Sequence, residues 1–295
     1  MLRSRLPWRF QSLQNFLNEH TNFVFGAVLN TPPIRCNPEA AVEYISLVCH
    51  RDVNIYILAT KSFLRFYSNV AVVVHSDGTL TRGDIINLRG QIPGIHIISR
   101  QEADERVAAK LSSESLKRAR ASDVSFIKLI DVNLFSKRRR IIADSDLLFL
   151  QSPSEVIQWI ETRGERGFYH AMRGGNKRFA GHLAALNAKL DTKIKTLDYC
   201  SGFIGYSARL CYKDLERALG VLTEIAEGWG LEQVIHAFIL SDSSEKLPPE
   251  KYVAGLAVLS RGDVIGATMV HFVGKLKHWQ YLRCGNAVIR DLRRY

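Results

Sequence analysis

From about residue 41 the chain alternates short, wholly apolar runs with longer mixed ones, and this alternation limits the possible folds more than any other feature. Val70-Ala71-Val72-Val73-Val74-His75 is a β-branched run closed by Asp77-Gly78. Residues 95–98 follow Pro93-Gly94, and Arg140-Ile141-Ile142-Ala143 precedes a second apolar run at 147–150. Stretches at 167–172, 202–206 and 267–272 complete the predicted strands. Runs this short, apolar throughout and bounded by chain breakers suit strands covered on both faces. Between them the patterning predicts a short helix after Thr81, a polar helix over 101–120 and helices near 153–162, 211–227 and 231–240. An amphipathic helix over 123–135 places Val124, Ile127, Ile130 and Leu134 on one face. Strands and helices in alternation predict an α/β fold with a mostly parallel mixed sheet flanked by helices. In such sheets ligands sit beyond the carboxyl ends of the strands. His75, Asp144 and His271 all fall at such ends.

The chain divides into an N-terminal helical or irregular extension over 1–40, a single core domain over 41–282 and a basic C-terminal tail over 283–295. The extension ends in the breakers Asn30-Thr31-Pro32-Pro33. With 46% apolar residues in 295, the chain has enough material for one sizeable core. Forty Lys and Arg against 29 Asp and Glu leave a net charge of +11, which favours anionic partners. The runs at 137–140 and Arg290-Asp291-Leu292-Arg293-Arg294 read as solvated basic faces. With the Arg-rich N-terminus they also suit peripheral contact with an anionic membrane surface. Nucleic acid is not an expected partner, because no recognition motif appears and the aromatic residues are scattered. No apolar run approaches the ~20 residues of a transmembrane helix. The five cysteines are odd in number and contain no CxxC pair, so they read as buried free thiols of a reducing compartment. The expected location is therefore the cytoplasm, with any membrane contact at its inner face.

Asp144-Ser145-Asp146 is the first candidate for chemistry. Two carboxylates two residues apart, just past a strand, can turn toward one point, and hard oxygen ligands suit Mn²⁺ or Mg²⁺. The alternative is a pair of loop acids capping a turn. The apolar runs on either side favour the metal, because charges in buried surroundings need a partner. His271 closes the last predicted strand and is followed by Gly274 and Lys277. A glycine lets backbone approach a phosphate closely, and a lysine three residues on supplies a point charge. His75-Ser76-Asp77-Gly78 reads as an Asp-Gly turn in preference to a nucleotide contact.

His271-Phe272-Val273-Gly274-Lys275-Leu276-Lys277-His278-Trp279 resembles the HFxGxxKPW motif of glycosyltransferase family eight, the family of glycogenin and the lipopolysaccharide galactosyltransferases, with His278 in place of Pro. Asp144-x-Asp146 then resembles the family's DxD motif, and Lys128, sixteen residues earlier, has the spacing of its donor-contacting lysine. Glu232-Gln233 is similar to the family's Asp-Gln segment, and Cys200-Ser201-Gly202 to its Asn-Ser-Gly segment, with Glu and Cys as the replacements. Asp198 is the polar neighbour that stands nearest to make up for the lost Asn amide. The five segments occur in the family's order and span roughly residues 44–282.

The resemblance implies a GT-A fold, a donor of the nucleotide-diphosphate sugar class, most simply a UDP-sugar, and a manganese- or magnesium-dependent transfer that retains configuration. It implies a glycan or lipid-linked acceptor. Asp144, Asp146 and His271 would hold the metal; Lys128, Ser145, Ser201, Gly202, Gly274 and Lys277 would bind the donor; Gln233, Glu232 and Lys277 would act on the reacting centre. Glu232 also has a plain structural reading, as an acid in the first turn of a helix. Two other readings compete. A sugar-nucleotide nucleotidyltransferase would carry a glycine-rich loop after the first strand, and residues 48–53 contain no glycine. A non-catalytic basic binding protein on the same fold would not need Asp144, Asp146, His271 and Lys277 together.

Overall fold

The computed structural model describes residues 16, 24–135, 138–163, 166–172, 175, 181–195, 197–207, 210–224, 230–240, 243–254, 260–274 and 279–295. The core begins before the first strand: Phe25, Val28, Ile34 and Cys36 are buried. Strand β1 (Val42–Val48) leads into helix α1 (Val53–Leu64), in which all twelve residues are buried. A helix covered on every side must satisfy its polar members internally. Lys61 Nζ donates to Thr31 Oγ1 and Gln91 Oε1, each at 2.6 Å, and Ser62 Oγ accepts from Phe149 N at 3.0 Å.

Strand β2 (Ala71–Ser76) is buried along its length, and helix α2 (Arg82–Gln91) follows behind a capping box of Thr81 and Asp84. After β3 (His96–Ile98), the polar stretch predicted as one helix is two, α3 (Arg100–Lys110) and α4 (Glu114–Ser122). The break has a local cause: the Ser113 hydroxyl accepts from Leu116 N and starts a new helix. Helix α5 (Ser125–Phe135) also departs from expectation. Val124 lies outside it and is exposed, while Phe126, Ile127, Leu129, Ile130 and Val132 are buried on several sides.

Strand β4 (Arg139–Ala143) overturns the reading of 137–140 as a solvated charge run. Arg140 is 1% exposed in the middle of the sheet. Arg139 stacks its guanidinium 3.9 Å over Trp159, and Arg138 donates to the Pro38 and Ala40 carbonyls. Lys137 lies outside the described residues. Strand β5 (Leu147–Phe149) and helix α6 (Ser154–Thr162) come next, then β6 (Gly167–Ala171), α7 (Leu183–Leu190), β7 (Tyr199–Tyr206), α8 (Tyr212–Thr223) and α9 (Leu231–Leu240). The chain ends in β8 (Ser244–Lys246), β9 (Tyr252–Ala254), α10 (Arg261–Val264), β10 (Met269–His271) and α11 (Trp279–Leu292).

The main sheet has the order β3-β2-β1-β4-β7-β6-β8. Strands β1 to β4 are mutually parallel, β7 is antiparallel to β4 and β6, and β6 is parallel to β8. A second sheet, β5-β10-β9, is joined to it directly through the three residues between β4 and β5. Helix α1 packs against β5 and α11. Residues 283–292, read from sequence as part of a tail, form most of α11 and bury Val288, Ile289 and Leu292 in the core. Gly285 allows that contact, since a Cβ there would lie 2.4 Å from Phe25 Cε1. All five cysteines are free, but only Cys36 and Cys200 are buried; Cys49 and Cys284 are half-buried and Cys211 is exposed. Among the described residues no helix is long and apolar enough to cross a membrane.

Candidate active site

Asp144, Ser145 and Asp146 form the turn between β4 and β5, and each sheet holds one end of it. The Asp144 N–H donates to the Gly202 carbonyl of β7 at 2.8 Å. The Asp146 carbonyl accepts from the Phe272 N–H, just past β10, at 3.0 Å. These two bonds turn both carboxylates toward His271, the last residue of β10. Its Nε2 lies 3.1 Å from Asp146 Oδ1 and 3.7 Å from Asp144 Oδ2. One ligand atom from each of the three falls within 4.8 Å of the others. Gly202 makes room for them: a Cβ there would stand 2.2 Å from His271 Cε1 and 3.0 Å from Asp144 Oδ2.

A cavity of about 160 Å³ opens over this point. Asp144, Asp146 and His271 form part of its wall, as do Lys128, Ser201 and Gly202. Glu232 and Gln233, in the first turn of α9, complete the set of predicted site residues on the same cavity. Ser145 is buried on the connecting turn. Gly274 follows Val273, which lines the cavity, and adopts φ 82°, a left-handed conformation that suits glycine. Lys277 lies outside the described residues, as do Trp229, just before the Glu232-Gln233 segment, and Gly174 and residues 176–178 of the Gly-, Lys- and Arg-rich stretch that follows the predicted strand 167–172.

The electrostatics are those of a dense buried cluster. Lys128 Nζ donates to Asp144 Oδ1 at 2.8 Å. Burial opposes the Lys128 charge, but Asp144 and Glu232 outweigh it and raise its pKa. Burial likewise pushes Asp144 up, and Lys128 and His271 together hold it below the usual carboxylate range. Glu232 behaves the same way: Lys128 and His236 overcome its burial, and its Oε1 lies 2.8 Å from His236 Nε2. Glu232 is therefore more than a helix-terminal acid, because it shares Lys128 with Asp144. His271 is raised well above the ordinary imidazole value, Cys200 and Asp146 outweighing its burial.

The sequence reading missed His170 and His236, and it did not foresee what Cys200 touches. His170, in β6, lies fully buried with Nε2 3.2 Å from His271 Nδ1. Cys200 Sγ is 3.3 Å from the same nitrogen, so the thiol that stands where the family has an amide contacts the histidines. Asp198 does not take over that place; it pairs with Lys246 at 2.5 Å. His236 reaches Glu232 on one side and the Tyr206 hydroxyl on the other. His170 lies inside its strand, so no sequence signal set it apart. The His75 segment follows its turn reading: Thr79 N donates to Asp77 Oδ1 at 2.9 Å and Gly78 has φ 106°.

No protein-family model matches the chain, and no curated protein matches it in sequence. Solved structures do. The galactosyltransferase LgtC, in complex with donor and acceptor sugar analogues, superposes with a TM-score of 0.55 at 12% identity, over 84% of this chain and 95% of that one. Mouse xyloside xylosyltransferase 1 gives 0.52 at 12% identity, over 81% and 98%. The bifunctional glycosyltransferase WbbM gives 0.55 at 14% identity, over 86% of this chain and 51% of its own.

Proposed function

On the GT-A fold that the chain shares with these glycosyltransferases, we propose that it is a metal-dependent, retaining glycosyltransferase. It moves a sugar from a nucleotide-diphosphate donor of the UDP-sugar kind to a hydroxyl on a glycan or lipid-linked acceptor. The observation that carries this reading is the convergence of Asp144, Asp146 and His271 within 4.8 Å of one another at strand carboxyl ends. Two carboxylates and an imidazole fit Mn²⁺ better than Mg²⁺, which prefers oxygen alone. Asp144, Asp146 and His271 would hold a divalent cation, which would neutralise charge on the departing diphosphate, the main electrostatic demand of glycosyl transfer.

The chain's own residues supply the rest. Lys128 is paired to Asp144, and were a cation to take that carboxylate the ammonium would be free to face a donor oxygen. The Gly274 N–H, Lys277, Ser145, Ser201 and Gly202 hold the diphosphate and the sugar nearest it. Gln233 borders the cavity with an amide too weakly basic for covalent attack, so it positions the sugar. Glu232, kept ionised, orients Lys128 and accepts from sugar hydroxyls. Retention of configuration rests on the resemblance to family eight.

A panel of nucleotide sugars, incubated with and without Mn²⁺, tests the proposal. Mn²⁺-dependent release of free nucleoside diphosphate is the expected result, lost in a folded Asp146→Ala variant. Pyrophosphate release would identify a nucleotidyltransferase, and no product from any donor would leave a binding protein.

A further inference from the structure

Behind the carboxylates lies a second set of ligand atoms that the proposed transfer does not use. The antiparallel register of β6 and β7 sets His170 directly opposite Cys200, next to a bulge between Tyr169 and His170. His170 Nε2 and Cys200 Sγ lie 3.2 and 3.3 Å from His271 Nδ1, the ring nitrogen that is not turned to Asp144 and Asp146. All three residues are at least 96% buried, and one ligand atom from each falls within 4.8 Å of the others. Zinc bonds of ~2.0–2.3 Å in a tetrahedron place neighbouring nitrogen and sulfur ligands about 3.3–3.6 Å apart, close to the spacing seen. His170 is already oriented for ligation. Its Nδ1 lies 3.1 Å from the Phe203 carbonyl, so Nδ1–H donates there and the lone pair of Nε2 faces the cluster. Met172 packs in one buried cluster with Cys200.

We propose that His170, Cys200 and His271 form a second, thiophilic cation site for ions of the Zn²⁺ class, sharing His271 with the carboxylate site. A thiolate with two imidazoles selects zinc-like ions over Mg²⁺ and Mn²⁺. The site itself does not depend on the transferase reading; its effect on turnover does. The His271 ring serves one cation at a time. With its proton on Nδ1, donated to His170 or Cys200, Nε2 is free for the ion held by Asp144 and Asp146. With its proton on Nε2, donated to Asp146 across 3.1 Å, Nδ1 is free for the soft ion. Binding of the soft ion expels one proton from the Cys200–His271 pair and leaves a thiolate and an Nε2–H, with no change of oxidation state. The tautomer of one histidine thus chooses between two metals, and Zn²⁺ antagonises Mn²⁺-dependent turnover.

Titration of the full chain with Co²⁺ in place of Zn²⁺ tests this without donor or turnover. The expected result is a near-ultraviolet thiolate-to-cobalt charge-transfer band that saturates at one equivalent and is displaced by Zn²⁺. Cys200→Ser should abolish the band, and His170→Gln should weaken Co²⁺ binding at least about 10-fold. Cys211→Ser and Asp146→Asn should keep it. Absence of the band in the unmodified chain overturns the proposal, and so does its persistence in Cys200→Ser. A chain that shows the band but hydrolyses no donor refutes only the transferase reading; a chain that transfers sugar without the band refutes only this one.

Discussion

His75 should make the fold acid-sensitive in a way that a single substitution removes. The side chain is 2% exposed in β2, its ring lies edge-on to Phe135 at 5.3 Å, and neither ring nitrogen has a hydrogen-bond partner among the described residues. Burial, with smaller contributions from His96 and Arg120, lowers its pKa to about 3 from an ordinary 6.5. The folded state therefore keeps His75 neutral while the unfolded chain takes up a proton below about 6.5. Stability is complete above that pH and falls as pH drops toward 3, where the folded ring would also charge. At pH 5 the unfolded state gains about 1.36 kcal/mol for each of about 1.5 pH units, or about 2 kcal/mol. This figure is insensitive to the folded-state value, because any pKa below about 4 gives nearly the same result at pH 5. Urea unfolding of the wild type and of a His75→Leu variant, at pH 7 and pH 5, measures it. The volume is nearly conserved and two unsatisfied nitrogens are removed, so the variant should be no less stable at pH 7. The wild type should lose about 2 kcal/mol more than the variant between the two pH values. Parallel losses would refute the reasoning, since they would mean that His75 finds solvent or a partner when protonated.

Other consequences can be checked separately. Gly202→Ala forces His271 and Asp144 to move and should weaken Mn²⁺ binding at least about 10-fold, read by the electron paramagnetic resonance of free Mn²⁺; unchanged affinity would mean the three ligands do not act together. Lys277→Ala should lower turnover by roughly 10²–10³, the scale of losing one charge contact in the transition state, and unchanged kinetics would place Lys277 on the surface. Arg120→Met leaves Asp131 buried without its two-pronged partner, at 2.6 and 2.7 Å, and should cost about 3–5 kcal/mol in urea unfolding; adding Asp131→Leu should recover much of it. If the basic excess serves an anionic acceptor surface, sedimentation with anionic vesicles should exceed that with neutral ones and fall with salt; equal, salt-independent binding would exclude membrane contact.

What could be read in the sequence was local. Ala71–Ser76 announced itself because a strand covered on both faces needs an unbroken apolar, β-branched run. The grouping of Asp144, Asp146 and His271 was legible because each falls next to a predicted strand end and is of a residue type that can ligate a metal. Where burial depends on distant partners the signal failed. Helix α1 contains Asn54, Thr60, Lys61 and Ser62, and nothing within it reveals that Thr31, Gln91 and Phe149 meet two of them. Arg140 looked solvated for the same reason, since its place inside the sheet is set by β1 and β7 on either side. The His170–Cys200 juxtaposition depends on strand register across a bulge, which residue spacing does not encode. Strands β8 and β9, three residues each, are too short to show a period.

The turn at 144–146 is also a joint. With three residues between β4 and β5, it has a reach of only about 10–11 Å and almost no slack. Asp144 is tied to β7 of the large sheet, whereas Asp146 and His271 travel with the small one. A cation held by all three would act as a clasp between the sheets, and its binding strength would report the angle between them. Reciprocity then follows from thermodynamics: any ligand that tilts the small sheet by favouring one angle alters cation affinity by the same factor by which the cation alters its own. An acceptor resting on β9 or β10 could therefore tune metal occupancy without touching a carboxylate.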